Sequence, residues 1–154
     1  MTAEFIVAVH ALVFLHHKGC CQSSEVIAEN ICTNPARVRK VLGKLRTAGL
    51  VEAHGRQGGG YRFLGDAGSV TLAGILEAVG ENVVHLSWRS GKNCAECPIS
   101  RGMGPLMDEV LEGVETACRA ELGSTSLAQL SCRLFSEPIT PDQICRISQN
   151  ARDT

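Results

Sequence analysis

Two short helical patterns separated by a three-residue turn, followed at once by a glycine-tipped pair of apolar-rich segments, occupy residues 23–64 and constrain the fold more than any other feature. Ser23 or Ser24 suits the cap of the first helix, whose inward stripe is Ile27, Ala28 and Ile31. Thr33, Asn34 and Pro35 form the turn. Asn34 is a good N-cap, and Pro35 fits the first helical position, where its missing N–H costs nothing. Over residues 35–48, Val38, Val41, Leu42 and Leu45 recur at i, i+3, i+4 and i+7, which predicts one buried helical stripe. Gly49 ends that helix as a residue with positive φ would. Residues 50–54 and 61–64 then read as two strands joined by Gly55-Arg56-Gln57-Gly58-Gly59-Gly60. The order predicts a winged helix-turn-helix, in a mainly α chain with one small β-hairpin.

Charge is gathered in the same place. Residues 33–63 hold seven basic side chains (Arg37, Arg39, Lys40, Lys44, Arg46, Arg56, Arg62) and one acid, Glu52, while the whole chain has a net charge of −1. A nearly neutral protein that concentrates its positive field on one helix and one hairpin presents a surface suited to phosphate. Arg37 and Arg39 lie in the first turn and a half of the second helix, the part that reaches base edges in a helix-turn-helix. Lys40, Lys44 and Arg46 lie further along and are expected at phosphates. Ser24, Asn34 and Pro35, at the helix starts, join the expected contact set. Arg56 is the expected charged wing tip with Gln57 as a neighbouring contact, and Gly58 and Gly59 let backbone approach phosphate or a narrow minor groove. A solvated basic helix with a flexible loop is the bland alternative, and the coincidence of charge with element order favours DNA.

The rest of the chain frames this unit. At 154 residues and 44% hydrophobic content it can bury one core. The apolar run 5–15 is too short to span a bilayer and lacks a basic leader, so it reads as a first helix with Phe5, Val9, Leu12 and Val13 inward, and nothing suggests export or membrane association. Residues 65–69 are a linker, and Thr71 caps a helix burying Leu72, Ile75, Leu76 and Val79 up to Gly80. Residues 83–92, with the single Trp88, are irregular. A long helix is expected from Pro105 to about Leu122, with Leu106, Val110, Val114 and Ala117 at helical spacing and Leu111, Cys118 and Leu122 widening the stripe. A helix of that length without an equal partner in its own chain is expected to pair with a second copy, as two DNA half-sites require, with folding back on its own domain as the alternative. A short helix over 125–130 and a partly disordered tail over 138–154 complete the chain. The expected organisation is 1–82 for the winged domain, 83–104 for a cysteine-containing loop, 105–135 for the dimerisation region and 136–154 for the tail.

Eight cysteines in a chain without export signals are expected to be mostly reduced thiols. Cys94 and Cys97 form a single C-x-x-C, which could be half a zinc site, a redox pair or part of a cluster site, and spacing alone does not choose among them. Cys32 is expected as a small core residue, and Cys118 as packing in the long stripe.

These features together resemble the Rrf-two family of bacterial winged-helix transcriptional regulators. The matching residues are Ser23-Ser24 with Ile27-Ala28, Thr33-Asn34-Pro35 with Val38-Arg39, Leu45-Arg46 with Ala48-Gly49-Leu50-Val51, and Gly58-Gly59-Gly60-Tyr61. They continue in Val70-Thr71-Leu72 with Ile75, Ala78 and Val79, and in Cys97-Pro98-Ile99. The resemblance covers roughly residues 5–130. It implies a cytosolic homodimer that binds a palindromic operator in double-stranded DNA and acts as a repressor. Cluster-bearing relatives place three cysteines in the loop before the long helix. Here there are two, and Ser100 stands where the iron–sulfur regulator's motif has a histidine. The turn residues look most like the subgroup without the cluster loop, so no cofactor is expected, with an iron–sulfur cluster or zinc as the alternative. Cys94 and Cys97 are then the candidate sensor thiols.

Two other classes are weaker. A thiol–disulfide enzyme would place its C-x-x-C after a strand–helix pattern, and neither that nor a Cys–His–Asn set is present, so no catalytic residue is expected. A winged helix that binds only protein would have no use for six net positive charges on its second helix and wing.

Overall fold

The first helix, α1 (Ala3–Lys18), is apolar on nearly every side, and its surroundings explain why. It packs against five other elements, so Phe5, Val7, Ala8, Ala11, Leu12, Val13 and Leu15 are all buried while Val9 is half-buried at the margin. The computed structural model describes residues 3–55, 59–83 and 97–136. After α1 come α2 (Ser24–Ile31), α3 (Pro35–Thr47), the strands β1 (Val51–His54) and β2 (Gly60–Phe63), α4 (Leu72–Ala78), α5 (Pro98–Gly123) and α6 (Leu127–Ser136). This is a mainly helical winged helix-turn-helix with a two-stranded antiparallel hairpin and a long C-terminal helix. Leu12, Leu15, Ile27, Val38, Leu42, Leu45, Ile75, Leu76 and Leu127 make one core from five helices. Truncating one of its leucines to alanine would cost about 2–5 kcal/mol.

Local chemistry sets the boundaries. Ser23, rather than Ser24, caps α2, its Oγ accepting from the Val26 N–H at 3.3 Å. Gly49 adopts φ +75 behind α3, and the Leu50 N–H closes on the Leu45 carbonyl at 2.9 Å. Gly80 does the same behind α4 with φ +68. The strands pair Val51 with Phe63 and Ala53 with Tyr61. Gln22 adds a third edge to the hairpin, exchanging two hydrogen bonds with Tyr61 at 2.9 and 2.8 Å. That approach leaves no room at Gly60, where an added Cβ would stand 2.3 Å from the Gln22 carbonyl oxygen.

Three expectations change. The long helix begins at Pro98, seven residues before Pro105: Pro98 is at the first helical position, and Cys97 before it holds the extended backbone that precedes proline. Pro105 therefore lies inside α5, where it forfeits one hydrogen bond to the Arg101 carbonyl without ending the helix. α6 runs to Ser136, beyond the short helix expected over 125–130, because Leu127 and Ser131 turn inward and Phe135 stacks on His17 with ring centroids 4.4 Å apart. Cys32 is exposed and left-handed (φ 57), capping α2 by its N–H to the Glu29 carbonyl at 3.2 Å instead of filling the core.

The C-terminal end of α5 is fastened to α4. Leu72 N–H donates to the Thr125 carbonyl at 3.0 Å, and the Leu127 and Ala128 N–H groups donate to Val70 and Ala67 at 2.8 and 2.9 Å. Arg119 bridges from Glu115 to the Glu81 carbonyl and the Asn82 side chain. No residue of α5 is fully buried.

Candidate nucleic-acid interface

α3 begins where its sequence says it should. Asn34 Oδ1 accepts the Ala36 N–H at 2.7 Å, and Pro35 occupies the first turn. Val38, Val41, Leu42 and Leu45 are wholly inaccessible, which fixes the rotation of the helix about its axis and turns its cations outward. Those cations do not share one environment. Arg37 and Arg46 are exposed, and among the described residues neither has an acidic or hydrogen-bonding partner. Arg39 is braced: its Nη1 donates to Glu25 Oε1 at 2.9 Å and to Ser24 Oγ at 3.3 Å. Ser24 is itself buried, so its hydroxyl is spent within the chain.

Lys40 and Lys44 both turn to Glu4 on the first turn of α1. Lys40 Nζ bonds Glu4 Oε1, and Lys44 Nζ bonds Glu4 Oε2 at 2.7 Å and the Val79 carbonyl at 2.7 Å. The Glu4 side chain is 21% exposed and that of Lys44 35%, against 64% for Lys40. Hydrogen bonds from Lys40 and then Lys44 hold the Glu4 carboxyl below its ordinary value, so it stays ionised. Sequence spacing puts Arg37, Lys40 and Lys44 on one rhythm, yet the acid that meets two of them lies 36 and 40 positions away. The only signal in the sequence is a single acid at the head of an otherwise apolar helix.

On the hairpin, Arg62 donates to Glu52 Oε1 at 2.6 Å and His54 lies 3.1 Å from the same oxygen. These contacts, His54 first, hold Glu52 below the usual carboxylate range. Gly59 is half-buried beside β2, and Arg56, Gln57 and Gly58 lie outside the described residues.

α5 presents an apolar row to solvent: Ile99, Met103, Leu106, Met107, Val110 and Val114 are each more than two-fifths exposed. Leu111 is half-buried and Ala117 exposed. Cys97 is the N-cap of α5 and half-buried, while Cys94 lies outside the described residues, as do Trp88 and residues 137–154. Among the described residues no three His, Cys, Asp or Glu side chains gather as a metal site, and no helix is long and apolar enough to cross a membrane.

The geometry has clear counterparts. The Rrf2 family model, described as an iron-dependent transcriptional regulator, matches residues 1–133. YwnA of Bacillus subtilis (strain 168), named as an HTH-type transcriptional regulator, is 28% identical over 138 residues, covering 88% of this chain and 99% of that protein. A crystal structure from Lactobacillus plantarum superposes with a TM-score of 0.76 at 18% identity, over 98% of this chain and 99% of the other. The Bacillus subtilis global cysteine regulator CymR does so with a TM-score of 0.64 at 18% identity, over 86% and 96% of the two chains. At such identities the two structures speak for the fold. With most of its length matched by the family model and its basic helix set outward on a winged fold, this chain belongs to the Rrf2 family of DNA-binding transcriptional regulators, and it is not an enzyme.

Proposed function

We propose that the chain is a homodimeric, sequence-specific regulator that represses by occupying a palindromic operator and answers a thiol-redox signal at Cys94 and Cys97. One observation carries the DNA-reading part: α3 sinks its apolar stripe completely and presents Arg37, exposed and without a partner among the described residues, in its first turn. That is the position from which an arginine grips guanine O6 and N7. Arg39 joins it as a braced reader. Both of its in-chain contacts use Nη1, which leaves Nη2 and Nε for a base edge. Arg46 serves phosphate, and so do Arg56 and the wing backbone at Gln57, Gly58 and Gly59. Ser24, Asn34 and Pro35 contribute by holding Arg39 and the helix start.

The exposed row Leu106, Val110 and Val114, with Leu111 and Ala117 beside it, supports pairing with a second copy. Such a contiguous apolar face on one helix is what a two-fold seam buries. The redox part rests on the C-x-x-C spacing of Cys94 and Cys97 and on Cys97 as the half-buried residue that caps the start of α5. Oxidation with Cys94 would release two protons and two electrons to a peroxide or a small disulfide. The family's iron is a different matter. A cluster draws on four ligands, whereas the loop supplies two cysteines with Ser100 following. These residues do not fit a cluster, so we place the chain with the members that lack the full three-cysteine loop.

Fluorescence anisotropy on a selected duplex and its scrambled version, over a series of salt concentrations, tests the reading. Arg37→Ala is expected to lose about 1–3 kcal/mol on the selected duplex and little on the scrambled one. Arg46→Ala is expected to weaken both equally and to reduce the salt slope by about one. Salt-insensitive binding, or parallel losses for Arg37→Ala on both duplexes, would overturn it.

A further inference from the structure

Glu4 lies within hydrogen-bonding distance of two of the cations that sequence alone assigns to phosphate. We propose that Glu4 is a positioning residue that sets how many recognition-helix charges DNA can use, withholding Lys40 from phosphate and committing Lys44 to bracing α3 against α1 and α4. This rests on the reading of α3 as the DNA-contacting helix.

The two lysines differ in what they can do. Lys44 is two-thirds covered, and two of its three donors are taken, by Glu4 on α1 and by the Val79 carbonyl at the end of α4. It is a strut among three helices. Lys40 is 64% exposed and has one described acidic partner, so it is the cation that a phosphate could claim if Glu4 let it go. Glu4 competes from a favourable position. Its side chain is 21% exposed, and both of its oxygens are engaged by the two lysines. Phosphate contacts carry no sequence information, so holding Lys40 back lowers DNA affinity without touching what Arg37 and Arg39 read.

The test is a double-mutant cycle on a scrambled duplex, measured as affinity against salt for the full chain, Glu4→Gln, Lys40→Gln and the double variant. Glu4→Gln is expected to bind about tenfold more tightly near 0.1 M salt, with a log–log slope steeper by about 0.9, one extra phosphate contact. Adding Lys40→Gln to it should return both values to those of the unaltered chain. Lys40→Gln alone should change affinity by no more than about twofold, a measurement that leaves Glu4 and the Lys44 strut in place. A gain from Glu4→Gln that is the same with and without Lys40 would mean that only the general field had changed, and would overturn the inference. A tenfold loss from Lys40→Gln alone would overturn it too, since Lys40 would then already be on phosphate. If the unaltered chain binds with a steep salt slope and Glu4→Gln leaves that slope unchanged, this inference fails and the DNA-binding reading stands. If the unaltered chain shows no salt-dependent binding, both fall.

Discussion

Replacing Gly60 by alanine should detach the wing from the body of the domain. The new Cβ would lie 2.3 Å from the Gln22 carbonyl oxygen, 2.6 Å from its carbonyl carbon and 3.1 Å from Ser23 N, all of them backbone atoms that cannot swing aside. Relief of more than an ångström requires β2 to part from Gln22, which gives up the two hydrogen bonds between Gln22 and Tyr61. At a net 0.5–1.5 kcal/mol each, the loss is about 1–3 kcal/mol. For a chain of this size that corresponds to a drop in Tm of about 3–10 °C. Gly43→Ala is the matched control, because it changes the unfolded chain in the same way while its Cβ meets nothing within 4 Å. Inside α3 it should stabilise by about 0.5–1 kcal/mol. Thermal melts followed by circular dichroism give both values. If Gly60→Ala melts at or above the temperature of Gly43→Ala, the close approach of Gln22 to β2 is wrong as described.

Three further outcomes are expected. Val110→Glu or Val114→Glu should give monomers in sedimentation at micromolar concentration, because a carboxylate buried in an apolar seam costs several kcal/mol, on the order of a dimer's own margin; two dimeric variants would move the interface elsewhere. Cys32→Gly should leave the melt unchanged or raise stability by up to about 1 kcal/mol, since glycine relieves the left-handed turn residue but gains freedom when unfolded, and a clear fall in Tm would contradict the φ of 57. Lys40 and Lys44 hold the Glu4 carboxyl below its ordinary value, so its stabilising contribution is present above about pH 4.5 and is lost as pH falls through the lowered value. Acid titration of Glu4→Gln should therefore lack part of the native acid transition, and superimposable acid limbs would refute the pairing.

What sequence made legible was local. Asn34, Pro35 and Gly49 fix the ends of α3 through groups within a few residues of one another, and Val38, Val41, Leu42 and Leu45 need only helical periodicity to declare a buried side. Sequence alone places the start of α5 at Pro105 because a proline suits a first helical turn, but Pro98 suits it equally and the earlier one governs. Gly60 reads as part of a phosphate-approaching loop, although the chain's own Gln22 demands it. The division of labour among the cations was hidden for a similar reason. Which lysine meets an acid depends on how α1 crosses α3, a tertiary fact that no spacing within α3 encodes. Cys32 misleads by its type, because a turn that usually takes glycine holds a thiol here.

The fastening of α5 has a mechanical consequence. Among the described residues its hold on the domain is gathered near the C-terminal end, in Glu115, Arg119 and the backbone bonds from residues 125–128, while the helix begins at Pro98. At 1.5 Å per residue, about 25 Å of rod extends beyond Glu115. A rod anchored at one end is a lever, and a tilt of about 5° at its base carries the tip through about 2 Å over that length. The same base is bonded to the start of α4, and the end of α4 receives Lys44 from α3 through the Val79 carbonyl. By this geometry an angular adjustment at the base of α5 would be magnified at Pro98.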